Sequence, residues 1–206
     1  MVTEEDYTNA KKKVIELEKD YQEQHKLIKL YEEQQKQVAF NAARIELENK
    51  YNTFWKEFYQ LAYRAVVSRS GSPEEFMQEY DYQAHKLKSL LRFKITSGDE
   101  FLKFLINSGL RLSIENGKTN TCFPDIGMFK DYSDKARMFK KYLNAMFFDI
   151  YSKSPQNTCE DLTGYETRRL KWLFSFEMKS ERELLTVLYV FGFKMTVSYK
   201  AEEVVF

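Results

Sequence analysis

The chain offers few side chains of the kinds that hold metals or attack substrates. It has two histidines, His25 and His85, and two cysteines, Cys122 and Cys159. Zinc sites draw three or four such ligands together, commonly with a Cys-x-x-Cys pair. No Cys-x-x-Cys occurs here, so no metal or cofactor is expected. A cysteine nucleophile needs a base beside it. Cys122 stands before Phe123-Pro124 and Cys159 follows far along the chain, so both read as plain reduced thiols. Two cysteines do not make a disulfide framework. Asp125, in Phe-Pro-Asp-Ile-Gly, and Asp161 are loop carboxylates, but Asp is a common turn residue. The other acids lie in mixed-charge helical runs. A Gly-rich phosphate loop and a Gly-x-Ser-x-Gly elbow are both absent. The chain reads as a protein without enzymatic activity.

Thirty-two Lys and Arg oppose 31 Asp and Glu, leaving a net charge of +1. That removes the whole-chain electrostatic basis for binding nucleic acid. Local candidates for phosphate contact remain. Arg137, Lys140 and Lys141, with Lys130 and Lys135 nearby, would line one helix. Lys94, Arg111, Lys171 and Lys194 would share one face of a sheet with no aromatic residue on it. RNA-binding sheets stack bases on aromatics, so binding there is expected to be weak, sequence-independent and salt-sensitive. A weakly basic nucleic-acid-associated protein is the alternative function.

These groups must be positioned by the elements around them. Glycine and proline are absent before Gly71, and residues 1–70 are rich in Glu, Gln, Lys and Ala. Such a segment favours helix. Thr3 with Asp6 caps its start. Val14, Leu17, Tyr21, Ile28, Tyr31, Val38, Ala42 and Ile45 form a narrow stripe whose steps alternate three and four, with Gln24 and Gln35 at two seam positions. A second, more aromatic stripe runs Phe40, Leu47, Tyr51, Phe54, Phe58, Leu61 and Ala65. Residues 3–45 therefore read as a coiled-coil-like arm, and 47–68 as a helix docked on a folded domain. One long helix of about 95 Å and a hairpin turning near Asn41 or Asn49–Asn52 both fit. The expected partner of the arm is another protein or a second copy, through Val14, Leu17, Tyr21, Ile28, Tyr31 and Val38.

Ser70-Gly71-Ser72-Pro73 ends this helix and starts another that runs to about Leu91, with Ser72 as cap and Glu75 closing a capping box. Two segments then align without a gap, 93–114 and 176–197. They match at Phe93/Phe176, Ser97/Ser180, Glu100/Glu183, Leu102/Leu185, Leu105/Leu188 and Gly109/Gly192. Ser and Glu three apart cap a helix. The leucines share its face, and the glycine ends it. Alternating flanks suggest strands at 92–96, 110–116, 170–178 and 193–200. The expectation is an α+β chain: a long helical region, 1–70, then a domain, 71–206, with a ferredoxin-like duplicated strand–helix–strand core. Two such units sharing a mixed sheet is the competing topology. A helical insertion, 117–169, would hold a turn-rich loop, a helix near 133–151 and a short helix near 159–163.

The beginning of the sequence lacks the apolar core of a secretion signal, and no apolar run approaches the roughly 20 residues that span a bilayer. A cytoplasmic protein without membrane contact is expected. The Lys-, Asn-, Tyr- and Phe-rich composition fits an AT-rich genome, such as that of a bacterium or phage. An assembly or accessory protein of a phage or mobile element is compatible with it.

Overall fold

The computed structural model describes residues 3–117, 119–123, 131–153 and 163–206. The chain divides into two units, Met1–Glu46 and Leu47–Phe206. The first helix, α1 (Glu4–Ser70), continues through Asn41 and Asn49–Asn52, where a hairpin would have turned. Its start is capped reciprocally. Thr3 Oγ1 accepts from the Asp6 N–H at 3.2 Å, and the Asp6 carboxylate accepts from the Thr3 N–H at 3.0 Å. Unit 1 is this helix alone, and every described residue from 3 to 42 is exposed.

Unit 2 begins with the rest of α1. Phe54, Phe58, Leu61, Ala62, Ala65 and Val66 are all buried and form a broad face. After it come α2 (Pro73–Tyr80), α3 (Ala84–Leu91), α4 (Gly98–Ser108), β1 (Arg111–Asn116), β2 (Thr119–Phe123) and α5 (Tyr132–Lys153). The last elements are α6 (Thr167–Phe174), α7 (Glu181–Val190), β3 (Lys194–Tyr199) and β4 (Glu202–Val205). The Ser72 hydroxyl accepts from the Glu75 N–H at 3.1 Å, as its cap position requires. The single helix expected up to Leu91 is split, because Asp81 adopts a left-handed φ of 55°. The split lets the Tyr80 and Tyr82 rings both pack on Phe76, at 4.7 and 5.7 Å.

The strands form one antiparallel sheet in the order β2-β1-β3-β4. Leu112, Ile114, Met195 and Val197 occupy its buried face. Residues 92–96 and 170–178, expected to be strands, are not. Each region is instead a helix end followed by a left-handed turn at a phenylalanine, Phe93 (φ 55°) or Phe176 (φ 61°). The Lys94 N–H reaches the Ser89 carbonyl at 2.9 Å, and the Glu177 N–H reaches the Trp172 carbonyl at 3.0 Å. This is a Schellman cap with phenylalanine where glycine is usual. The left-handed conformation costs about 1–2 kcal/mol. Full burial offsets it: Phe93 packs edge-on against Phe54 and Phe58, both at 4.9 Å, and Phe176 against Phe139 at 5.4 Å. Alternation of apolar and polar residues imitated a strand because the turn residue carries a large side chain.

Unit 2 is thus mixed helix and a small four-stranded sheet, and its halves are not the strand–helix–strand units of a ferredoxin-like core. Each half runs helix–helix–strand–strand. The offset of 83 residues links α3 to α6, α4 to α7, β1 to β3 and the start of β2 to that of β4. Ser97 and Ser180 cap α4 and α7 by accepting from Glu100 and Glu183 N–H groups, both at 3.4 Å. Gly109 and Gly192 both have left-handed φ, 75° and 67°. In the central pairing Ser113 faces Thr196, Leu112 faces Val197 and Ile114 faces Met195. Exchanging the halves reproduces that register, so a local two-fold axis passes through the Ser113–Thr196 pair. The halves also meet at Gly98, where a Cβ would stand 2.1 Å from the Phe176 carbonyl oxygen. In the helical insertion expected over 117–169, the helix expected near 133–151 is α5, with Phe139, Leu143 and Phe147 buried, while residues expected in a turn-rich loop form β2, which pairs with β1.

Candidate functional site

The candidate residues fall mainly into three groups: the exposed face of α1 in unit 1, the open face of the sheet in unit 2, and α5.

On α1 the six seam residues are all in water. Val14 is 53% exposed, Leu17 61%, Tyr21 68%, Ile28 57%, Tyr31 63% and Val38 63%. Tyr7, 66% exposed, continues the row towards the start of the helix and Ile45, 63%, ends it. Tyr7 was missed in the sequence although it stands seven residues before Val14. His25 is on the same helix, its ring 6.1 Å from that of Tyr21. Acids at the start, Glu4, Glu5 and Asp6, complement the helix dipole.

On the open sheet face, Arg111, Ser113, Glu115, Lys194, Thr196 and Ser198 alternate with the buried residues, and a depression lies among them. Of the four basic residues expected there, Arg111 and Lys194 are present. Lys94 lies in the turn after α3 and Lys171 lies on α6, both exposed, because those segments are not strands. Lys194 is 3.1 Å from Glu115 across the strands, and Glu203 also lines the depression. Positive charge on this face is therefore matched by negative charge. Cys122 is a half-buried thiol on the same face, 3.7 Å from the Asn120 side-chain oxygen.

The α5 cluster is likewise divided. Arg137 bonds Asp134 at 2.8 Å and Lys140 bonds Asp99 at 2.8 Å, while Lys141 is exposed. The phosphate candidates do not converge on one surface. Asp125, Asp161, Cys159, Lys130 and most of the expected short helix near 159–163 lie outside the described residues. His85 is exposed on α3. Among the described residues no group of His, Cys, Asp or Glu is placed to hold a metal ion. Among them, too, no helix is long and apolar enough to cross a membrane.

The least exposed ion pair described in unit 2 joins two helices of the domain. Arg169 grips Glu183 through two hydrogen bonds, one of 3.0 Å from Nε to Oε1 and one from Nη2 to Oε2. The Lys179 N–H adds a third at 2.7 Å. Burial pushes the Glu183 carboxyl up, but Arg169 and the Lys179 N–H more than reverse that and hold it below the usual range. The same positions in the other half hold Lys86 and Glu100, 3.0 Å apart and more exposed.

No family model, curated protein or solved structure matches this chain.

Proposed function

We propose that this is a protein-interaction or assembly protein whose contact element is the N-terminal part of α1. One observation carries the reading: a seam of large apolar side chains, stepped by three and four residues, exposed along the whole of unit 1. Covering such a side chain fully gains about 1.5–3 kcal/mol. In proteins most helical stability comes from packing of an apolar face rather than from propensity. Both arguments favour a covered seam. Its spacing of three and four suits another helix. Unit 2 we read as two copies of one helix–helix–hairpin unit, a compact body attached to the contact helix. The nucleic-acid alternative is weakened by the dispersal and local neutralisation of its candidate residues.

The test is the mass in solution of the full 24.7 kDa chain and of Leu17→Asp/Ile28→Asp. The expected result is a heavier species, formed with itself or with a second protein, that falls to a monomer in the variant while unit 2 melts as before. A chain that is strictly monomeric up to its solubility limit, or an assembly indifferent to the double substitution, overturns the reading.

A further inference from the structure

We infer that the seam is covered by a second copy of this chain, parallel and in register from Tyr7 to Ile45. The inference rests on the reading of α1 as contact element and adds the partner, its direction and its register. Every seventh residue from Tyr7 to Ala42 forms one row of the seam, and the residues three further on, Ala10 to Ile45, form the other. Six successive pairs keep a repeat of seven. A helix of 3.6 residues per turn holds such a repeat against a partner only by winding around it with left-handed supercoil. Val14 in the first row with Leu17 in the second is the pairing that favours two parallel strands.

The flanking residues and the coverage of the rows together favour one direction. In a parallel, in-register pair, the residue just before each first-row position faces the residue five further on in the other helix. Asp6 then faces Lys11 of the second copy, Lys13 faces Glu18 and Asp20 faces His25. Each of these three contacts occurs twice by symmetry and joins an acid to a base; the other three, Leu27 with Glu32, Gln34 with Ala39 and Asn41 with Glu46, bring no like charges together. Gln24 and Gln35 meet their own counterparts, so amide can pair with amide, donor to acceptor. A polar pair inside a seam penalises other registers.

The antiparallel alternative with full overlap fails on the same residues. It sets Glu18 against Glu32 and Asp6 against Glu48, and it puts Gln24 on Ile28 and Gln35 on Leu17. Sliding it by one heptad brings Lys11 to Glu32 and Glu18 to His25. That slide strands Ile45 beyond the overlap and sets the glutamines against Tyr21 and Ala10, where no amide answers them. The opposite slide pairs Gln24 with Gln35, but it sets Tyr7 and Ala10 against Asn52 and Asn49, and Lys13 against Glu48, which Arg182 already holds at 2.6 Å. The parallel register covers both rows from end to end.

The experiment uses the full chain and sedimentation equilibrium at low salt, with Lys13→Glu, Glu18→Lys and the double exchange. The expected species is a dimer. Each single reversal should raise its dissociation constant about tenfold, since two attractive contacts become repulsive. The double exchange should return it to within about threefold of the original. A second measurement does not depend on those variants: Ala10→Cys should oxidise to a disulfide between the two copies of residue 10, identified by peptide mapping. A trimer overturns the inference, as does a dimer that forms no such disulfide or one that ignores Lys13→Glu. An assembly with a different protein also overturns it, but if that assembly is lost in Leu17→Asp/Ile28→Asp the broader interaction reading stands. A strict monomer ends both.

Discussion

One helix, α1, is used in two ways along its length. In unit 2 its buried apolar residues step 54, 58, 61, 62, 65 and 66, and all are at most 1% exposed. In unit 1 the seam steps by threes and fours, Ile15, Leu27 and Leu30 stand beside it, and all its large apolar side chains are more than half exposed from Val14 to Val38. Propensity does not separate the halves, since both are helical. The repeat does. Phe54, Phe58, Leu61, Ala62, Ala65 and Val66 fill one face at consecutive turns, broad enough to cover helices and loops of a domain. The seam keeps its repeat of seven, with Gln24 and Gln35 among its positions, and that is the spacing another helix closes.

The largest test of this contrast is Phe58→Ala. The ring is fully buried, 4.9 Å from Phe93 and 6.0 Å from Phe54. Truncation should destabilise unit 2 by about 3–5 kcal/mol, seen as a lower urea midpoint with an unchanged slope. A loss under about 1 kcal/mol would mean that this half of α1 contributes as little packing as the other.

That difference was legible in the sequence as two stripes of different phase. The caps were legible too: Ser72, Ser97 and Ser180 each accept the expected N–H. So was the helix through Phe139 and Leu143. The offset of 83 was found from six identities, but the content of the repeat was misread. Phe93 and Phe176 stand in left-handed turns that sequence patterns associate with glycine, and their neighbours alternate as strand residues do. Only the pocket that receives each ring reveals the turn, and that pocket is assembled from distant residues, Phe54 and Phe58 in one half and Phe139 in the other. The same misreading moved Lys94 and Lys171 off the sheet and dissolved the proposed basic face. Tyr7 and the charges flanking the seam were readable from heptad phase alone.

The second test compares the halves of unit 2. Arg169 and Glu183 have side chains 17% and 15% exposed, against 47% and 29% for Lys86 and Glu100. Removing one partner of a fully buried pair costs about 3–5 kcal/mol, so Arg169→Ala should cost somewhat less than that. Lys86→Ala should cost about 0–1 kcal/mol, as exposed pairs do. Equal losses in thermal or urea unfolding would show that burial does not set the difference.

Acid should find the same pair. The folded-state pKa of Glu183 lies below its unfolded value, which is near 4.5. Its contribution is therefore complete above that value and is lost as pH falls through the lower, folded one. Wild-type unit 2 should lose stability over that acidic window, and Glu183→Gln should flatten this part of the stability–pH curve. A curve of unchanged slope in the variant would place the acid sensitivity elsewhere.

The smallest expected effect completes the contrast within α1. Leu17 is 61% exposed and Ile28 57%. Neither side chain is part of the buried core of unit 2, so their removal takes nothing from its packing. Leu17→Ala/Ile28→Ala should leave the unfolding midpoint of unit 2 within about 0.5 kcal/mol of the original, the range of ordinary surface changes. These substitutions truncate large apolar side chains of the same helix as Phe58→Ala does, but at exposed rather than buried positions. Where the seam is covered by a partner, the substitutions should weaken the association and nothing else, read as a higher concentration needed to form the heavier species. A shift of unit 2 itself by more than that margin would show that the seam and the core unfold as one, and the division of α1 into a packing half and a contact half would fall.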